Sequence, residues 1–295
     1  MEQNNNIAVI IPAYKKKYLD ETLHSFKDQT DKHFTIYIGD DCSPEDLYSV
    51  IQPYMADMNI KYKRFSANLG QKSLPEHWNR CMKLKSQEEW IWLFSDDDYV
   101  TPNCIEQLYD AIKNNPQKLV FRFNSIKVKD GISVRINNFP DIINTQDFLN
   151  IKLGYKCESY AIEYVFHASL LEKINFQSFP FGWCSDDLFW TKASFYSDIK
   201  SISNANVYWR FSDINISGKK NGTKEALGKL RACLMFIEEL LKEASISEVK
   251  NNIQLIREWF MGQYRYLSPS LDKSDKLYII ELINKNLYLE NILID

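Results

Sequence analysis

Over roughly its first 125 residues the chain alternates short, unbroken apolar runs with amphipathic stretches, and nothing else in the sequence limits the fold as much. Ile7 to Ile11 is apolar throughout and stops at Pro12. A strand with one wet face alternates apolar and polar residues. An unbroken run belongs to a strand covered on both faces, as in parallel sheets. Phe34 to Ile38 is β-branched and aromatic, and Trp90 to Phe94 is a third such run. A weaker strand is expected over Ile60 to Phe65. Helical spacing follows the first run, with Leu19, Leu23 and Phe26 on one face, and recurs from Pro75 to Leu84 and from Pro102 to Ile112. Ser43 and Pro44 suit another helix start. Strand alternating with helix predicts an α/β fold: a doubly wound, mixed but mainly parallel sheet flanked by helices.

The pattern becomes mixed from Leu119 to Arg210. Strands are expected at Leu119 to Phe123 and Asn206 to Phe211, and a short helix at Asp186 to Phe195. Beyond Ser217 the period turns helical. Leu227, Leu230, Leu234, Ile237 and Leu241 share one stripe, and Val249, Ile253, Ile256, Phe260 and Tyr264 share another. Ser274 is placed to cap a third stretch with Leu277, Ile280 and Leu287. These signals divide the 295 residues into a catalytic domain, 1–217, and a C-terminal helical appendage, 218–295, whose apolar stripes are expected to pack on the first domain.

Two acidic groups stand directly behind apolar runs: Asp40 and Asp41 after the second, and Asp96, Asp97 and Asp98 after the third. Ligands of open α/β sheets bind beyond the carboxyl ends of the strands, so both groups should face one crevice. Carboxylates gathered there repel one another unless a cation neutralises them. A hard divalent ion, Mn²⁺ or Mg²⁺, would do so and would bridge to phosphate. Aspartates also form turns and cap helices, and for Asp40 and Asp96 that reading weighs equally. With 36 Lys and Arg against 39 Asp and Glu, the formal charge of −3 offers no field for nucleic acid.

Ile7-Ala-Val-Ile-Ile-Pro-Ala-Tyr14, Gly39-Asp-Asp-Cys-Ser43, Asn68-Leu-Gly70 and Ser95-Asp-Asp-Asp-Tyr99 with Pro102 occur in this order. The ordered set resembles family 2 of the inverting GT-A glycosyltransferases, clearly over residues ~7–125 and more weakly to Ser217. The resemblance implies a GT-A fold and transfer of a sugar from a nucleotide-sugar donor, a UDP-sugar by preference, to a saccharide or lipid-linked saccharide acceptor. By the same resemblance Pro12, Ala13 and Tyr14 flank the nucleoside, Asp41 bonds the base, and Asp97 is the metal-binding aspartate of a DxD motif with Asp96 at its middle position. Ser95 stands where that motif has its first aspartate, a departure that a serine hydroxyl can bridge by a hydrogen bond to the ribose. Reading Asp96-Asp97-Asp98 as the motif shifts the register by one. Lys72 and Arg80 are candidates for a basic residue near the diphosphate. Tyr208-Trp209-Arg210 followed by Asn215-Ile216-Ser217 resembles a late family element and adds Arg210.

Inverting transfer needs a base for the acceptor hydroxyl. Phe181-Gly-Trp-Cys-Ser-Asp-Asp-Leu-Phe-Trp190 supplies two acids at a helix start among aromatic rings suited to stack on sugars. It resembles the family's acidic segment. Counting to Lys192 favours Asp186 as base, and reading the acids as the family's pair favours Asp187; Asp186 is preferred. Both could instead only cap the helix.

Two rivals remain. A nucleotidyltransferase would pair such a sheet with acidic metal ligands, but its phosphate loop is glycine-rich, and Pro12-Ala-Tyr-Lys-Lys-Lys17 has no glycine. A non-catalytic carbohydrate-binding protein on a GT-A fold would not need Asp41, Asp97 and the 186/187 pair together. Six scattered cysteines without a CxxC pair fit a reducing cytosol. No apolar run reaches the ~18 residues of a membrane span. The expected setting is the cytoplasm, with peripheral contact at the inner membrane face if the acceptor is lipid-linked.

Overall fold

A strand forms at each of the six places where one is expected, and among the described residues four more that no apolar run announces join them in one sheet. The computed structural model describes residues 6–212, 215, 221–242 and 252–285. Ile216 and Ser217, the boundary at 217/218, Val249 and Leu287 lie outside these residues. The strands are β1 (Ile7–Ala13), β2 (Phe34–Asp40), β3 (Ile60–Arg64), β4 (Trp90–Leu93), β5 (Tyr99–Val100), β6 (Val120–Lys129), β7 (Ile132–Asn137), β8 (Ile142–Ile143), β9 (Tyr164–His167) and β10 (Ile199–Phe211). The main order is β3-β2-β1-β4-β9-β6-β10-β5, with β7 on β6 and β8 on β10. The β3-β2-β1-β4 half is parallel throughout, as is the β6–β10 pair. β9 runs antiparallel to both β4 and β6.

Alternate residues of β1 feed two cores. Ile7, Val9 and Ile11 join Leu19, Leu23 and Phe26 of α1 (Leu19–Lys27) on one face. Ala8 and Ile10 meet Cys81 and Met82 on the other face. Those two residues belong to α3 (Leu74–Met82), which follows the single turn α2 (Tyr48–Ile51). Burial on both faces is the reason the run is unbroken. Each fully covered Leu or Phe of α1 contributes about 1.5–3 kcal/mol against solvent exposure. α4 (Cys104–Asn114) adds Ile105 and Leu108 to the first core.

Several local expectations shift. Pro12 does not end β1, which runs on to Ala13. Ser43 opens no helix: its N–H donates to Asp40 Oδ1 at 2.8 Å and its hydroxyl to the Tyr14 carbonyl at 2.7 Å. These local bonds compete with helix formation, and regular helix waits until Tyr48. Residues 125–180, which carry no readable period, hold β7 to β9 and α5 (Thr145–Leu153).

α6 (Ser185–Ser194), α7 (Thr223–Lys242), α8 (Ile253–Leu267) and α9 (Lys273–Asn284) are the remaining α-helices among the described residues. α9 is capped by Asp272, which accepts from the Asp275 N–H at 2.8 Å; Ser274 only donates its hydroxyl to Asp272. The last three helices share a core with Leu149 and Leu153 of α5 and Leu188 of α6. Leu230, Leu234 and Ile237 of the first stripe and Ile256 and Phe260 of the second pack there as expected, but Ile253, Leu277 and Ile280 are exposed, and α9 buries Ile279 and Ile283 instead. No helix among the described residues is long and apolar enough to cross a membrane.

Candidate active site

Parallel register brings the sequence's acidic groups together. Ala13 at the end of β1 pairs with Asp40 at the end of β2, and Ile10 pairs with Leu93 of β4. Because β1 lies between the other two strands, the segment after it runs between Asp41 on one side and Asp96 on the other. One cavity of about 1020 Å³ is lined by Pro12, Ala13, Tyr14, Lys15, Asp41, Gly70 and Ser95 through Asp98, and also by Asp186 and Asp187.

Each carboxylate at the strand ends has a different environment. Asp40 is fully committed to the protein, accepting from Ser43 N, Tyr62 Oη at 2.6 Å and Arg64 at 2.7 Å. Asp41 accepts from the backbone N–H groups of Leu69 at 2.8 Å and Gly70 at 2.7 Å, and pairs with Arg80. A Cβ on Gly70 would stand 2.6 Å from Asp41 Oδ2, so only glycine allows that approach. Burial holds the nearby His77 imidazole down to about 4, so it is neutral and accepts from Arg80 Nε at 3.0 Å.

Asp96 accepts from the N–H groups of Tyr14 and Lys15, both at 2.7 Å, and so fixes the path of the chain after β1. Burial raises its carboxyl above the ordinary range against the opposing pull of Lys15. Asp97 points its carboxylate at the Lys15 ammonium, which also lies 3.5 Å from Asp96. Burial works against the charge on Lys15, but Asp96, Asp97 and Asp98 together outweigh it and raise its pKa. Both Asp98 oxygens are occupied at 2.6 Å, one by the Ser95 hydroxyl and one by the Arg210 N–H. Of the triplet, only Asp97 is met by the Lys15 ammonium alone, without a backbone N–H or hydroxyl donor among the described residues.

A hard divalent cation fits this place, because a cationic group, the Lys15 ammonium, already lies between Asp96 and Asp97. Among the described residues no three His, Cys, Asp or Glu side chains gather as a metal-ligand set. Further ligands would have to come from a phosphate-bearing molecule and water, the usual arrangement for Mg²⁺.

Two basic candidates lie elsewhere. Lys72 is exposed and is not among the cavity residues. The Arg210 guanidinium donates to the Asp97 carbonyl at 2.9 Å and to Glu21 at 2.5 Å, and covers the Tyr18 ring at 4.1 Å. It braces the acidic loop from behind rather than entering the cavity. The basic group that does enter beside the acids, Lys15, was read in the sequence only as part of a glycine-free loop. Its pairing depends on β1 and β4 being neighbours, which no local pattern reveals.

The second pair of acids enters on a strained turn. Phe181 (φ 60°), Gly182 (φ 67°) and Cys184 (φ 62°) are all left-handed, and α6 begins immediately after them. A Cβ on Gly228 of α7 would stand 2.4 Å from the Phe181 ring, so α7 closes directly over this turn. Non-glycine residues held in that region cost about 1–3 kcal/mol each and persist only where packing enforces them. Asp187 is buried and ion-paired to Lys152 of α5 at 2.6 Å. Asp186 is half-buried and has no such partner among the described residues. Burial, then the charge of Asp187, pushes its carboxyl up to about 7, against the pull of Lys152 and of backbone N–H groups at the helix start.

A family model described as "Glycosyl transferase family 2" matches residues 8–168. The chain belongs to glycosyl transferase family 2. By sequence it is similar to the poly(ribitol-phosphate) beta-N-acetylglucosaminyltransferase TarS of Staphylococcus aureus, at 26% identity over 210 residues, 68% of this chain and 35% of that protein. The chain thus spans about a third of the length of this curated relative. In structure it is similar to Staphylococcus aureus TarS 1-349 in complex with UDP-GlcNAc, with a TM-score of 0.74, 18% identity, and coverage of 98% of this chain and 84% of that one. A mannosyltransferase, PcManGT from Pyrobaculum calidifontis in complex with GDP-Man and Mn²⁺, matches at a TM-score of 0.54 and 12% identity over 97% of this chain and 82% of its own. At these identities the structural likeness establishes the GT-A fold.

Proposed function

We propose that this family 2 protein transfers a sugar, with inversion, from a UDP-sugar to an acceptor hydroxyl, using Mn²⁺ or Mg²⁺ and Asp186 as general base. The observation that carries the reading is one cavity with two unlike acidic ends: Asp96 and Asp97 beside Lys15, and a half-buried Asp186 beside a Lys152-locked Asp187.

Pro12, Ala13 and Tyr14 border the donor nucleoside, and Asp41 offers its remaining lone pair to a base N–H. Ser95 is within the same lining, and with its proton given to Asp98 its oxygen accepts from a ribose hydroxyl. Asp97 is the residue that would hold the divalent ion, which when bound stabilises the charge growing on the departing nucleotide diphosphate. Asp96 holds the Tyr14–Lys15 backbone in position and adds negative charge for the ion. Asp186 takes the acceptor proton as the hydroxyl oxygen attacks the anomeric carbon from the face opposite the leaving diphosphate. A carboxyl poised near 7 is both ionised and basic enough for that step at neutral pH. Asp187, held by Lys152, sets the charge beside it. Lys72 and Arg210 are left without a donor contact in this reading; Arg210 acts through the loop it braces.

The relative's printed activity puts UDP-GlcNAc first among donors to try and a polyol-phosphate or saccharide chain first among acceptors. A cytoplasmic setting, with the acceptor presented at a membrane face, suits such a substrate. The 1–217 and 218–295 division is retained as a proposal, with the helical part packed under the acceptor side.

The test is transfer from a panel of UDP- and GDP-sugars by the parent protein and by Asp186→Asn and Asp187→Asn. Transfer from a UDP-sugar, lowered ~10²–10⁴-fold in Asp186→Asn with UDP affinity intact, is the expected result. Loss in Asp187→Asn alone would move the base by one residue. Near-normal turnover in both would leave the pair as helix caps.

A further inference from the structure

The cavity extends well beyond the residues used above, and its far wall comes from α8. Trp259, Gln263 and Tyr266 line it from that helix, facing the same space as Tyr155, Trp183 and Asp187. We infer that α8 of the C-terminal helical region supplies a recognition subsite for a neutral polyhydroxylated ring, the acceptor unit that presents its hydroxyl to the base. The inference deepens the transferase reading and rests on its acceptor side.

Three observations carry it. First, the wall is aromatic and open: Tyr155 is 51% exposed and Tyr266 63%. Large rings left open along a cavity are a platform for the C–H faces of a sugar, and covering them gains apolar burial. Secondly, among the described residues five buried side-chain polar atoms lack a hydrogen-bond partner, and two of them, Asp187 Oδ1 and Gln263 Oε1, belong to this lining. Both are acceptors, so they call for donors, and a sugar or polyol brings several O–H donors on one face. An orphaned buried acceptor costs about 1–3 kcal/mol until it is met.

Thirdly, the wall is built to keep its shape. The Tyr155 hydroxyl donates to the Trp259 carbonyl at 2.9 Å and accepts from Gln263 Nε2 at 3.0 Å. A Cβ on Gly262 would stand 2.7 Å from that hydroxyl, so glycine makes room for the joint. Tyr155 itself sits at φ 53°, a left-handed position that the joint holds in place. With its amide nitrogen committed to Tyr155, Gln263 is oriented and its oxygen is fixed.

The electrostatics select the ligand. Asp186 and Asp187 make this end acidic, and Lys152 is spent on Asp187. Neutral hydroxyls would be welcomed by both orphaned acceptors, whereas two further cations of the lining, Lys127 and Arg135, stand on its β6–β7 side. The unit beside the base is therefore a neutral sugar or polyol, whatever charge the rest of an acceptor chain carries.

The experiment uses the full chain with UDP and Mn²⁺ and a set of probes: the methyl β-glycosides of glucose, galactose and N-acetylglucosamine. Saturation-transfer NMR and titration measure their binding without needing turnover. At least one glycoside should bind the parent protein, and its affinity should fall about tenfold in Gln263→Ala and in Tyr266→Ala. Tyr266 is mostly exposed, so its variant folds even if the Gln263 change disturbs the Tyr155 joint. UDP affinity should be the same in all three proteins. Binding of no glycoside, equal binding by parent and variants, or loss of UDP affinity in the variants would each overturn the inference. A parent protein that binds glycosides but not UDP would sink the donor reading while leaving this subsite standing.

Discussion

At the strand-end side of the cavity, Asp41 and Asp96 each accept two backbone N–H groups and face a cationic side chain. At the α6 side, among the described residues, Asp186 has no side-chain cation of its own and Asp187 has one ion pair and one unpartnered oxygen. The same functional group is thus held by several donors at one end and by a single ion pair at the other. The first arrangement suits binding, because fixed backbone donors hold its carboxylates in place. The second suits proton transfer, because a carboxyl near 7 changes state at little cost.

The most severe way to break the comparison is to withhold the proposed divalent cation from the strand-end side. Chelation with EDTA should abolish transfer, and Mn²⁺ or Mg²⁺ should restore it, whereas glycoside binding near α8 should persist in chelator. Full activity in EDTA would remove Asp97 from its assigned role. A milder probe is Asp41→Ala, measured by calorimetry with UDP and GDP. Loss of a charged acceptor, together with release of the Leu69–Gly70 backbone, should cost about 1.5–3 kcal/mol of nucleotide affinity. Unchanged affinity for both would take Asp41 out of the site. The smallest expected effect is at Lys15. Its ammonium competes for Asp97, so Lys15→Met should tighten Mn²⁺ binding several-fold by electron paramagnetic resonance titration, and weaker binding would show that Lys15 supports the ion instead.

The two ends were also unequally legible. β1, β2 and β4 are parallel and in register, so residues that follow their apolar runs must meet, and Asp41, Asp96 and Asp97 could be read from local sequence alone. Asp186 and Asp187 were visible as acids at a helix start. Their difference was not, because it comes from Lys152 on α5, in a stretch without a readable period. Tyr155 and Gln263 are 108 residues apart and meet only when α8 folds back over the α5–β9 connection. A helix stripe predicts which face of α8 packs and is silent on what its other residues line. The lone basic residues were the least readable. Lys72 and Arg210 look as suitable as Lys15 on paper, and only sheet order and the Glu21 and Tyr18 contacts separate them.

The central claim is that Asp186 is a base whose affinity for protons has been raised by its surroundings. The pH dependence of kcat/KM for transfer, at saturating Mn²⁺, tests it most directly. Because the folded-state pKa lies above that of a free carboxyl, the protonated, inactive form should dominate below the break. The account predicts a plateau above pH ~7 and a fall of one decade per pH unit beneath it, with Asp186→Asn slow and lacking that break. A parent profile that stays level down to the ordinary carboxylate range near pH ~4 would contradict it.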